Sequence, residues 1–71
     1  MLTTDEIKAL CAAGNIAYEA GPYGGFWVCE LQGEQVTAIG AGDTEREASN
    51  DVWERYLRMV SGEYYVNDRG D

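Results

Sequence analysis

Histidine is absent from this sequence of 71 residues, which also has only one proline and two cysteines. Without histidine, the chain lacks the side chain that most often serves as a general acid, a general base or a metal ligand near neutral pH. Neither cysteine has a histidine to activate it as a nucleophile, and Cys11 and Cys29 lack the Cys-x-x-Cys spacing of zinc sites. We therefore expect no enzymatic activity, no metal site and no cofactor, and we interpret both cysteines as reduced core residues.

Basic residues are also scarce. Five lysines and arginines stand against 13 acidic residues, which gives a net charge of −8. Nucleic-acid affinity depends largely on lysine and arginine that displace counterions from phosphates, so we expect no direct binding to nucleic acid. An acidic protein is instead attracted to basic surfaces. The alternative is that the charge only keeps a small protein soluble, and composition does not decide between the two.

Long hydrophobic runs are missing as well. No stretch approaches the about 20 apolar residues that span a bilayer, and anionic lipid repels an acidic chain, so we expect no membrane association. The first residues, Met1-Leu2-Thr3-Thr4-Asp5, contain neither the basic nor the apolar region of a signal peptide. These features predict a cytoplasmic protein.

The chain nevertheless has enough apolar residues to fold, because 45% of it is hydrophobic, with two Trp, five Tyr and one Phe. A disordered acidic segment would contain few aromatic residues. The length allows one small domain, which we place at residues 1–62. A tail follows at residues 63–71, in which 64–66 have the composition of a short strand.

Local signals divide the domain into five elements. Capping boxes predict helix starts at Thr3 and Thr44, and glycines predict the helix ends at Gly14 and Gly62. Strand-forming runs lie between the helices, at residues 16–20, 26–31 and 35–39, with a glycine-rich turn at 21–25 and a loop at 40–43. The predicted fold class is α+β, in the order α-β-β-β-α, with a small antiparallel sheet covered on one face by two helices.

Three local patterns accompany this order of elements. They are Tyr18 with Gly21-Pro22, then Phe26-Trp27-Val28, then Gly40-Ala41-Gly42-Asp43-Thr44 ahead of Glu47-Ala48. With the element order, they resemble the double-stranded-RNA-binding domain over most of the chain, which implies that family's fold. The lysines with which that family contacts RNA are replaced, because the corresponding positions are Glu45, Arg46, Glu47 and Ser49. The resemblance therefore implies the fold without the RNA-binding activity.

Size and charge give a looser resemblance to phage-encoded anti-defence proteins of the anti-CRISPR kind. It implies an inhibitor in the host-cell cytosol that docks on a basic, nucleic-acid-binding surface of a host defence complex. Our leading interpretation is a protein–protein interaction module whose partner is a basic protein or nucleoprotein complex. The residues predicted to bind it are acids around the second helix and two aromatic anchors, namely Asp43, Glu45, Glu47, Asp51, Glu54, Tyr23 and Trp27.

The alternative interpretation is a degenerate double-stranded-RNA-binding-like domain that acts in dimerisation or scaffolding. It predicts a homodimer formed through the open sheet face or a sheet edge. Phe26 and Trp27 alternate along one predicted strand, so one ring faces the helices and the other lies on the open face. The sequence leaves open which ring is outside, and whether the tail covers it or a partner does.

Overall fold

The structure, a computed structural model, describes residues 1–62 of the chain. They form helix α1 (Thr4–Ala13), strands β1 (Ala17–Tyr23), β2 (Phe26–Gln32) and β3 (Thr37–Gly42), and helix α2 (Glu45–Ser61). The strands make one antiparallel sheet in the order β1-β2-β3. The predicted α+β fold and its order of elements are therefore confirmed. The predicted strand at 64–66 lies outside the described residues.

Both helices begin where their capping boxes predict. At α1 the Thr3 hydroxyl accepts a hydrogen bond from the backbone N–H of Glu6, and the Glu6 carboxylate accepts one from the N–H of Thr3. At α2 only half of the box forms, since Thr44 accepts from the N–H of Glu47. The Glu47 carboxylate instead accepts from the backbone N–H of Asp43. This second capping box thereby ties the preceding loop to the helix.

Strand β1 is longer than predicted, because Gly21, Pro22 and Tyr23 continue the strand and are not part of a turn. β1 is an edge strand, where proline is tolerated because its missing N–H can face away from the sheet. The turn is reduced to Gly24 and Gly25, whose φ angles of 61° and 94° suit a two-residue hairpin.

Strand β3 lies further along the chain than predicted, and it includes three of the residues that we expected in the loop at 40–43. The reason is the close approach of α2. A Cβ atom added at Gly40 would lie 2.5 Å from the backbone nitrogen of Val52, and one at Gly42 would lie 2.6 Å from the Glu47 Cβ. These glycines therefore do not mark a loop, since they allow the helix backbone to pack directly on the strand.

The sheet has one covered face and one open face. The buried core draws on both helices and on β2 and β3, through Ile7, Cys11, Cys29, Leu31, Ala38, Ala48, Val52 and Tyr56. Trp27 packs half-buried against this core, whereas Phe26 is 38% exposed. Trp27 therefore faces the helices and Phe26 lies on the open face, which resolves the alternation in β2. Both cysteines are buried and free, as predicted.

The close approach of α2 leads to a stability prediction. We expect Gly40→Ala to lower the free energy of unfolding by about 1–3 kcal/mol, because its methyl group would overlap the backbone of α2. Gly21→Ala is the matched control, since an added Cβ there meets no atom within 4 Å. It should leave stability unchanged or raise it by up to about 1 kcal/mol. Urea unfolding measures both variants, and equal losses in the two would contradict this packing.

Candidate interaction surface

Three of the predicted partner-binding acids lie on one side of α2. Glu47, Asp51 and Glu54 occupy positions i, i+4 and i+7, which share a helix face. The backbone N–H of Ala41 in β3 donates to the Asp51 carboxylate at 3.1 Å. This hydrogen bond places that face of α2 along the outer edge of β3. Asp43 lies next to these three acids, because its backbone N–H donates to the Glu47 carboxylate at 2.9 Å. We call Asp43, Glu47, Asp51 and Glu54 the acidic stripe.

The members of the acidic stripe have different local roles. The carboxylates of Glu47 and Asp51 are engaged with backbone N–H groups, and Asp51 also forms an ion pair with Arg55 at 3.5 Å. The carboxylates of Asp43 and Glu54 are exposed and have no hydrogen bond or ion pair within residues 1–62. These two side chains are therefore free to pair with an external cation, whereas the other two mainly hold the loop and the strand.

The Asp51 carboxylate also closes part of a sheet edge. An outer strand presents a row of unpaired backbone groups, which is a template for adding another strand. Because the Ala41 N–H donates to Asp51, this group points away from β2 and is already satisfied. The acidic stripe therefore covers the end of β3 nearest Gly42 and leaves its negative side chains toward solvent.

Glu45 belongs to a different surface. It lies in a cleft between α1 and β1, where the Tyr18 hydroxyl donates to its carboxylate at 2.9 Å. The Lys8 ammonium is 3.9 Å from the same oxygen and 5.4 Å from the centroid of the Tyr18 ring. The structure thus separates Glu45 from the other four predicted acids. Its carboxylate is held within the fold, so it is a poor position for testing a partner contact.

The cleft and the core beside it contain three groups whose pKa is raised by burial. Burial raises the pKa of Tyr18, and its contacts with Cys29 and Glu45 raise it further. Burial also raises the pKa of the Cys11 thiol and, as the largest effect, that of the Cys29 thiol. All three groups are therefore neutral at physiological pH, and neither cysteine has the lowered pKa of a reactive thiol.

We expect stability to decline in alkaline solution because of Tyr18, from about pH 10 upward, and because of these thiols. Their pKa is raised in the folded state above the ordinary value of 9.0, so the neutral buried form stabilises the fold fully below about pH 9. This contribution is lost as the pH rises through the folded-state pKa. Urea unfolding at neutral and alkaline pH measures the decline. Cys29→Ala should make it shallower, and an unchanged slope in this variant would contradict the assignment.

The single basic residue at the start of α2, Arg46, forms hydrogen bonds with the N-terminal backbone of the same chain. The Arg46 guanidinium donates to the carbonyl oxygens of Met1 and Leu2, each at 3.0 Å. The Asn50 side chain accepts from the Leu2 N–H at 3.0 Å and donates to its carbonyl at 2.8 Å. Sequence reasoning missed this attachment of the N-terminus, because a polar residue in mid-helix gives no sign of what it bonds.

The exposed aromatic residues lie at the tip of the β1–β2 hairpin. Tyr23 is 69% exposed, and its ring meets that of Phe26 edge to face, with centroids 5.9 Å apart and planes at 76°. Trp27, the other predicted anchor, lies on the covered face. In the β2–β3 register, Trp27 pairs with Gly42, so the next step outward brings Phe26 level with Asp43. The aromatic tip, Tyr23 with Phe26, therefore lies at the end of the sheet where the acidic stripe begins with Asp43. Glu54 lies toward the opposite end, since α2 passes over Gly40 at Val52 and reaches Gly33 at Tyr56.

Comparisons of the chain with known protein families, with curated proteins and with solved structures find no match. The resemblance to the double-stranded-RNA-binding domain therefore stays a prediction about kinship, although the element order agrees with it. Within residues 1–62, neither helix has the length and apolarity to cross a bilayer. The same residues bring together no group of three or more histidine, cysteine or acidic side chains that could hold a metal ion.

Proposed function

We propose that this chain is a protein–protein interaction module that binds a basic, nucleic-acid-binding surface of another protein or nucleoprotein complex. The observation that carries the proposal is that the acidic stripe begins, at Asp43, at the end of the sheet that carries the aromatic tip. Acids with free carboxylates suit the lysines and arginines that otherwise contact phosphates. Exposed rings suit the apolar centre of a protein interface.

The expected binding energies favour a surface that uses both the charges and the aromatic rings over one that uses either alone. An exposed ion pair contributes only about 0.2–1 kcal/mol, so Asp43 and Glu54 could not by themselves produce a stable complex. Charge mainly increases the association rate and selects the sign of the partner. Aromatic residues are among the side chains that most often dominate binding energy, and Tyr23 and Phe26 are exposed at the end of the sheet where Asp43 lies.

The hydrogen bonds of Arg46 within the chain also support a partner other than nucleic acid. Its guanidinium is occupied by two backbone carbonyls, so the start of α2 offers no free cation to a phosphate. The exposed carboxylates of Asp43 and Glu54 would repel a phosphate backbone. The anti-CRISPR type of inhibitor in a host cytosol is one setting for such a module, and this setting stays a prediction based on size and charge.

A competition assay tests the proposed function. Fluorescent duplex RNA bound to an arginine-rich peptide serves as the basic, nucleic-acid-binding surface. We expect the chain to release the RNA at low salt and to do so less at high salt, because salt screens exposed charges. The double variant Asp43→Arg with Glu54→Arg should require about tenfold more protein for half-release, since two favourable pairs become repulsive.

The control has the same net charge and differs only in position. Asp5→Arg with Glu34→Arg changes two exposed acids outside the acidic stripe, and we expect it to release RNA like the unmodified chain. Equal losses in the two double variants would show that only the overall charge matters, which contradicts a localised surface. Direct binding of the labelled RNA by the chain would contradict the proposal as well.

Dimerisation is the second candidate, favoured by the exposure of Tyr23, Phe26 and Ile39 on the open face. Against it, two copies would bring together surfaces of the same strongly negative charge. We expect light scattering to give the monomer mass at low salt. A dimer mass that persists under dilution would favour the scaffold function over the proposed one.

A further inference from the structure

The open face of the sheet contains a shallow trough that is separate from the acidic stripe. Its floor is formed by Gly21 of β1 and Val28 of β2, which are partners in the strand register. Gly21 leaves this floor low, because a Cβ added there would meet no atom within 4 Å. The exposed Tyr23 stands at one end, and Glu19 and Glu30 stand at the other.

The two glutamates form an unfavourable pair in the isolated chain. Glu19 and Glu30 are direct partners across β1 and β2, so both carboxylates project from the open face at neighbouring positions. Like charges directly opposite one another destabilise a sheet. The Gln32 amide donates to Glu30 at 3.1 Å, but the Glu19 carboxylate has no hydrogen bond or ion pair within residues 1–62. A cation placed between the two would remove the repulsion.

We propose that this trough receives an arginine side chain presented by the basic partner protein. The guanidinium is planar and has donors for two carboxylates at once, which fits the cross-strand pair Glu19 and Glu30. Its aliphatic stem would lie over Gly21 and Val28, and the ring of Tyr23 provides an aromatic neighbour for the cation. The inference rests on the proposed function, since it names what a basic partner inserts.

Charge decides which occupant the trough accepts. A second copy of this chain would present the same two glutamates and a net charge of −8, so it is repelled. Phosphate groups of nucleic acid or lipid are repelled for the same reason. A lysine supplies the positive charge as a compact ammonium without the planar fork, so we expect it to bind more weakly than arginine.

Titration of the full chain with N-acetyl-arginine amide, followed by amide NMR spectra at low salt, tests the trough directly. We expect saturable shifts centred on the amides of Gly21 and Val28, and weaker binding of N-acetyl-lysine amide. Glu19→Gln and Glu30→Gln should each weaken the arginine derivative about threefold to fivefold, as expected for one exposed ion pair. Asp5→Asn and Glu34→Gln remove the same charge elsewhere and should leave the affinity unchanged.

Gly21→Val gives a variant that separates binding from folding. The added side chain projects into the open space over the trough floor and improves strand propensity, so urea unfolding should show no loss of stability. It should, however, abolish the shifts caused by the arginine derivative. Three results would each contradict the proposed arginine site. They are unchanged binding in Gly21→Val, equal binding of the arginine and lysine derivatives, and shifts spread over all acidic residues. Shifts that depend on protein concentration alone would identify a second copy as the occupant instead.

The outcomes distinguish this inference from the proposed function. If the arginine derivative shifts no trough amide while the competition assay still separates the acidic-stripe variant from its control, the trough is wrong and the proposed function stands. If the trough binds arginine but neither double variant weakens RNA release, the partner contact lies on the open face and the acidic stripe is not its site.

Discussion

The contact of the α2 backbone with strand β3 is the constraint on which the rest of the molecule depends. Because Gly40 and Gly42 have no side chains, the helix lies directly against the strand, at a distance that a methyl group would prevent. This placement fixes the rotation of α2 about its axis. One side of the helix then reaches the edge of β3 through Asp51, while Glu45 reaches Tyr18 of β1. A larger residue at either glycine would move both sets of contacts together.

The rotation of α2 also divides the acidic residues into two classes. Glu45, Glu47 and Asp51 satisfy donors within the fold, so their charges are partly committed to structure. Asp43 and Glu54 make no such bonds in the described part of the chain, and they keep their full attraction for an external cation. A high negative charge on a small domain is therefore not a uniform property of its surface. In the function that we propose, the charges most available to a partner are the few carboxylates that the fold leaves free.

The open face of the sheet shows a different balance between stability and binding. Most exposed sheet faces carry polar residues that interact favourably with their neighbours across the strands. Here Tyr23, Phe26 and Ile39 are exposed, and two glutamates oppose one another in register. The opposed glutamates are costly for the isolated molecule, and the basic partner that we propose would remove this repulsion. The hairpin tip on this face lies at the same end of the sheet as Asp43, where the acidic stripe begins.

The sequence by itself determined the element order, both helix starts, the fold class and the burial of the two cysteines, because capping and alternation are local signals. It did not determine which side of α2 each acid occupies, that the glycines at 40 and 42 belong to a strand, or that Trp27 faces inward while Phe26 faces outward. These depend on packing between elements distant in the chain. Arg46 shows the difference most clearly. An arginine in the sequence predicts a free cation at the surface, and only the tertiary structure reveals that its guanidinium already binds the N-terminal backbone carbonyls.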